Sequence, residues 1–182
     1  MAFELTQDYL NLLVEAIETH DDAFLRQAMD ELYPADIAAL LYEFPTDEYA
    51  QYIIAILDEE TAAQVINNLA PNWREDFLKI FPNETLARYI EHLDSDDAAD
   101  ILNEQPTRTK EEVLALLEDR EKARYIIDLL HYEEDTAGGL MAKELVKANV
   151  KWTVAQAVDE IRRQAEKVEK VNSVYVVDDN NV

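Results

Sequence analysis

A unit of about twelve residues recurs six times along the first half of the chain, and it restricts the fold more than any other feature. Aligned on a large apolar residue, the units read Leu32-Tyr-Pro-Ala-Asp-Ile-Ala, Phe44-Pro-Thr-Asp-Glu-Tyr-Ala, Leu57-Asp-Glu-Glu-Thr-Ala-Ala, Leu69-Ala-Pro-Asn-Trp-Arg-Glu, Phe81-Pro-Asn-Glu-Thr-Leu-Ala and Leu93-Asp-Ser-Asp-Asp-Ala-Ala, and their starts are 12, 13, 12, 12 and 12 residues apart. Each has Pro, Asp, Ser or Thr near its start and an apolar stripe behind it, such as Ile37, Leu40 and Leu41, or Val65, Ile66 and Leu69. Proline is tolerated in a first helical turn and polar caps satisfy its free amides, so each unit predicts one short helix. A helix of roughly 8 to 10 residues is marginal alone in water, so the helices must stack and share a buried seam. Taken in pairs, the period falls in the range of helical solenoids.

Flanking segments extend the pattern. Thr6–Thr19 carries Tyr9, Leu10, Leu12, Leu13, Val14 and Ile17 at helical spacing, and Asp21 or Asp22 caps a second helix running through Met29 and Leu32. After Gln105-Pro106-Thr107 the register fades, and Glu111–Leu117 and Arg120–Leu130 read as two further helices. The expected fold is mainly α: a right-handed superhelical array of short helices, followed by a truncated α/β segment.

Both glycines of the chain, Gly138 and Gly139, lie side by side in Tyr132-Glu-Glu-Asp-Thr-Ala-Gly-Gly-Leu-Met. Glycine tolerates positive φ and close backbone approach, so the pair reads as a helix stop and a hinge. Charge divides at the same place. Residues 1–141 hold 33 Asp and Glu against 9 Lys and Arg, while residues 142–182 hold 7 of each, so the entire net charge of −24 falls within residues 1–141. The expected division is therefore an acidic helical-repeat domain over 1–131, a hinge over 132–141 and an incomplete second domain over 142–182. In that second part Lys143–Val150 reads as a connector, Thr153 caps a helix over Val154–Lys167, and Ser173–Val177 reads as a strand of the fully buried type, followed by an Asp178-Asp179-Asn180-Asn181 turn. One strand after one helix cannot complete a sheet, so this segment is expected to be cut short and its apolar edge prone to self-association.

Several function classes are excluded or disfavoured. Nucleic-acid binding needs clustered Lys and Arg, and a pI near 4.2 opposes it; cations or basic partners fit better. Without cysteine there is no disulfide and no thiolate site, which is compatible with a reducing compartment. No run is long and apolar enough to span a bilayer, and no signal peptide opens the chain. Two glycines leave no phosphate loop, and no serine nucleophile motif occurs, so nothing points to catalysis. His20, His92 and His131 are scattered without ligand spacing, and Trp73 and Trp152 read as core or interface.

The densest carboxylate cluster is Asp94-Ser-Asp-Asp-Ala-Ala-Asp100. With Asp94 as N-cap, Asp96 and Asp97 fall in a first turn, where the helix dipole favours them whatever their function. Asp100 lies beyond that turn on the same face as Asp96, a like-charge pair that is mildly destabilising unless something offsets it.

The Leu32-Tyr-Pro-Ala-Asp-Ile-Ala-Ala-Leu-Leu unit, the acidic repeats and the Tyr132–Met141 segment together resemble the cytosolic N-terminal region of the MgtE family of magnesium transporters. Residues 140–182 resemble the first half of a CBS domain, with Thr153-Val154-Ala155-Gln156-Ala157 and Val174–Asp179 matching its helix and strand. The resemblance implies a homodimeric magnesium channel of the inner membrane, with its transmembrane part and a second CBS domain beyond Val182 and this region on the cytoplasmic side as a gate. Mg²⁺ bridging acidic surfaces would hold the gate closed. By family position Asp96, Asp100 and Gly139 are the implied metal residues. Gln64 stands where the family can carry an acid, and Glu133, Glu134 and Asp135 read as a solvated helix end. Partner carboxylates would lie in the second CBS domain, so this chain alone is expected to bind Mg²⁺ weakly. The competing reading is a protein-interaction scaffold similar to flagellar motor-switch FliG domains, without metal sensing.

Overall fold

Each of the six sequence units folds as one helix. A computed structural model of the chain describes residues 6–132, 136–138, 140–141, 143–166, 168 and 171–180. Two helices precede the repeats, α1 (Gln7–Glu18) and α2 (Asp22–Asp30), and the side chains of Thr6 and Asp21 cap them by accepting from Tyr9 N and Phe24 N. The repeats follow as α3 (Pro34–Leu41), α4 (Asp47–Ile56), α5 (Glu59–Asn67), α6 (Pro71–Leu78), α7 (Asn83–Glu91) and α8 (Ser95–Asn103). Every one begins two or three residues after its anchoring Leu or Phe. Pro34 and Pro71 occupy first-turn positions, where the missing N–H costs nothing.

The register does not fade where the sequence suggested. The next helix, α9 (Thr107–Leu116), begins at Thr107 rather than Glu111, two residues after Gln105, which fills the anchor position and is only 4% exposed. An eighth unit follows from the buried Leu117 into α10 (Arg120–Leu129). Alternate helices pack on one another, α3 on α5, α5 on α7 and α7 on α9, so the structural repeat is the helix pair.

Two compact units emerge, Met1–Leu93 with Ile101–Asp119, and Asp94–Asp100 with Arg120–Val182. The first holds most of the buried apolar residues, including Leu13, Leu25, Ile37, Ile53, Ile66 and Leu86. A chain of rings runs through it: Tyr42 meets Trp73 edge-on, Trp73 stacks on Phe77 at 4.4 Å, and Phe77, Phe81 and Tyr89 continue edge to face. The buried Arg74 reaches Glu104 with two hydrogen bonds (2.9 and 2.6 Å) and donates to Asn67 O at 2.9 Å, which satisfies a carbonyl at the end of α5.

In the second unit the segment expected to be a plain connector contains a strand, β1 (Lys147–Asn149). It pairs in parallel with β2 (Tyr175–Val177), Ala148 opposite Val176, and α11 (Val154–Ala165) makes the crossover. Thr153 and Gln156 form a capping box at the start of α11. The described helix ends at Ala165, and Lys167 lies outside the described residues. β2 is not the buried strand its composition suggested, because Val176 is 66% exposed and Tyr175 52%.

Candidate metal centre

The opening of α8 gathers the acidic cluster. Asp94 O accepts the first helical hydrogen bond from Ala98 N (3.0 Å), and Asp96 and Asp97 fall in the first turn. Asp96 and Asp100, four residues apart, share one face of α8 and are half-buried. Asp96 Oδ1 is shut off from solvent and accepts no hydrogen bond from any described residue. Asp94, Asp97 and Asp100 each have interactions of their own. A desolvated carboxylate oxygen without a donor is costly, and a cation is one group that removes the cost.

A long-range latch fixes this turn within the second unit. The fully buried Ser95 donates from Oγ to Glu144 Oε2 (2.8 Å) and accepts from Lys143 N (3.3 Å). Lys143 Nζ in turn reaches Asp128 Oδ2 at 3.3 Å. Asp94 and Glu144 line a cavity of about 250 Å³ with Val146, Val171, Ser173 and Tyr175. The sequence singled out neither Ser95 nor Glu144 as a contact. They are 49 positions apart in a segment without periodicity, and only the fold brings them together.

Among the described residues no group of three or more His, Cys, Asp or Glu is placed to hold a metal, so Asp96 and Asp100 are a pair and not a cage. Gly139, Glu133, Glu134 and Asp135 lie outside the described residues. At Gly138 the backbone φ is not positive, and its need for glycine is steric: a Cβ there would lie 2.6 Å from Cγ of the Tyr132 ring. Gln64, half-buried on α5, has its carbonyl bonded by the Asn68 side chain (2.8 Å). The histidines stand apart. His20 bonds the Tyr52 hydroxyl (3.1 Å), His92 lies 3.6 Å from Glu59, and His131 donates to Ile127 O (2.7 Å).

An array of short acidic helices whose last members continue into a βαβ unit defines the class: an acidic helical-repeat module joined to an α/β segment. More narrowly, the chain belongs to the MgtE intracellular N domain family, whose model matches residues 32–135. It is 34% identical over 169 residues to the magnesium transporter MgtE of Thermus thermophilus, covering 92% of this chain and 37% of that protein. A 56-residue stretch is 43% identical to the magnesium transporter MgtE of Enterococcus faecalis, covering 31% of this chain and 12% of that one. The chain thus spans little more than a third of the length of the Thermus relative. Among solved structures it resembles the soluble part of a magnesium transporter, with a TM-score of 0.82 and 26% identity over 96% of this chain and 68% of that one. It also resembles the cytosolic domain of the Mg²⁺ channel MgtE in complex with ATP, with a TM-score of 0.81 and 32% identity over 92% and 68%.

Proposed function

We propose that the chain is the cytosolic regulatory region of a magnesium channel or transporter, closing the pore when Mg²⁺ bridges acidic helical-repeat and CBS surfaces. In this reading residues 1–131 form the acidic domain, 132–141 the hinge and 142–182 the first part of a CBS domain. Its partners are Mg²⁺, the protein's own transmembrane and second CBS domains, and a second subunit; nucleic acid is not among them. Family membership supports the reading, and the observation that carries it is Asp96 Oδ1, a buried acceptor left without a donor four residues from Asp100.

The residues present suit the ion. Mg²⁺ is a hard octahedral cation that retains several waters and takes only one or two carboxylates from a given surface, so a pair on α8 is a sufficient share of a bridging site. Gly139 would add a backbone carbonyl. Without the ion, facing acidic surfaces repel; with it, they are held, and this differential affinity is what a switch requires. The test is Mg²⁺ flux through the longer transporter as a function of cytosolic Mg²⁺, for the parent and for Asp96→Asn and Asp100→Asn. Flux in the variants is expected to persist at Mg²⁺ levels that shut the parent. Identical inhibition curves would remove Asp96 and Asp100 from the sensor.

A further inference from the structure

Ser95 opens α8, and a serine at a helix start ordinarily turns its hydroxyl to the free amides of its own helix. Here it does not. The hydroxyl donates to Glu144 Oε2 at 2.8 Å and accepts from Lys143 N at 3.3 Å, and Ser95 is fully buried, so both bonds are made away from water. The residues it holds are anchored in turn. Lys143 Nζ reaches Asp128 Oδ2 on α10 at 3.3 Å, and two positions beyond Glu144 the buried Val146 accepts through its carbonyl from Tyr175 N at 2.9 Å. One bonded path therefore runs from the first turn of α8 to the β1 and β2 pair, entirely within the second unit. Next to Ser95 stands Asp96, whose buried Oδ1 has no donor, with Asp100 one turn further on. A carboxylate is aimed accurately only where its supporting residues are locked by packing and hydrogen bonds, and Ser95 is locked by both.

We propose that Ser95 and Glu144 are positioning residues of the metal site: their hydrogen bond sets the Asp96 and Asp100 carboxylates for Mg²⁺, and the bound ion in turn tightens the 143–146 segment that leads into β1. The inference rests on the metal reading proposed above and adds to it the route by which the ion is felt in the α/β segment. Neither residue acts as a ligand, since among the described residues no third acidic or imidazole group joins Asp96 and Asp100 in a set placed to hold a metal. The same bond brings the Glu144 carboxylate to a turn that already carries Asp94, Asp96 and Asp97, where like charges repel and a cation relieves the repulsion. Linkage between binding events is reciprocal, so the factor that the latch adds to Mg²⁺ affinity is the factor that Mg²⁺ adds to closure of the latch.

The test is amide hydrogen exchange of 143–146 in the longer protein proposed above, read by mass spectrometry across a Mg²⁺ titration and against Na⁺ at matched ionic strength. In the parent, exchange of this segment is expected to slow with Mg²⁺ alone. Ser95→Ala and Glu144→Ala are each expected to raise the Mg²⁺ midpoint at least about 5-fold, and the double variant no further, because both delete the same bond. Glu144→Gln keeps an acceptor for the Ser95 hydroxyl and is expected to stay near the parent, an outcome that general loss of stability would not give. Should Ser95→Ala fail to fold, the two Glu144 variants carry the comparison. Asp96→Asn, run alongside, tests the metal reading by itself. A midpoint moved by Asp96→Asn but not by Ser95→Ala or Glu144→Ala would overturn the positioning role and leave the metal site standing. A parent that ignores Mg²⁺, or a midpoint indifferent to Asp96→Asn, would remove both.

Discussion

Asp58 and Asp96 both stand at the start of a short helix, and they use their carboxylates differently. Asp58 accepts from Thr61 N at 2.9 Å, and that backbone hydrogen bond holds its carboxyl below the ordinary carboxylate value. A folded-state pKa that is depressed stabilises the fold above the unfolded value, and the contribution is lost as pH falls through the folded value. Asp58→Ala is therefore expected to cost about 1 kcal/mol near neutral pH. Asp58→Asn keeps the cap and is expected to flatten this residue's share of the acid limb. Thermal melts of the three chains from neutral to strongly acidic pH check this; an unchanged acid limb in Asp58→Asn would deny the cap its role. Asp96, by contrast, has a buried oxygen that its helix does not use, and the metal site proposed above is built on it. The capping chemistry was legible in the sequence, because Asp, Thr and Ser before an apolar stripe have a local meaning. The unused oxygen of Asp96 was not, because it depends on neighbours far along the chain.

The six helices α3 to α8 were readable one by one, since each unit carries its own anchor, a Pro or polar residue near its start and a stripe, although α3, α4, α6 and α7 form no side-chain cap hydrogen bond. α9 escaped at its start because Gln105 replaces the apolar anchor, although the residue is still buried in that role. β1 escaped because Lys147-Ala148-Asn149 is short, with Ala148 its one apolar residue, and it pairs with β2 far along the chain. The end of α5 is likewise decided at a distance, by the guanidinium of Arg74, which joins Asn67 O to Glu104. Removing one partner of a buried pair leaves the other charge uncompensated, so Arg74→Ala is expected to destabilise the first unit by roughly 3–5 kcal/mol. Arg74→Met with Glu104→Met is expected to recover much of that loss. Denaturant unfolding followed at Trp73, stacked beside Phe77, measures both, and a single variant as stable as the parent would contradict the assignment.

Across the whole molecule, the charge asymmetry and the repeat describe one acidic module and one neutral α/β segment. Acidity alone would suit either a solvated scaffold or a cation sensor, and the sequence separates these only through family resemblance. The scaffold gives no reason for a βαβ unit beyond the glycine pair or for a buried carboxylate oxygen without a donor. It also predicts no response that distinguishes Mg²⁺ from other salts. Limited proteolysis at 132–141 in the longer protein proposed above, with Mg²⁺ against Na⁺ at matched ionic strength and with Asp100→Ala beside the parent, asks this directly, because screening acts on both salts alike. The account predicts protection that appears with Mg²⁺ alone and weakens in Asp100→Ala. Equal cleavage in both salts would contradict it and leave the acidic array as a scaffold.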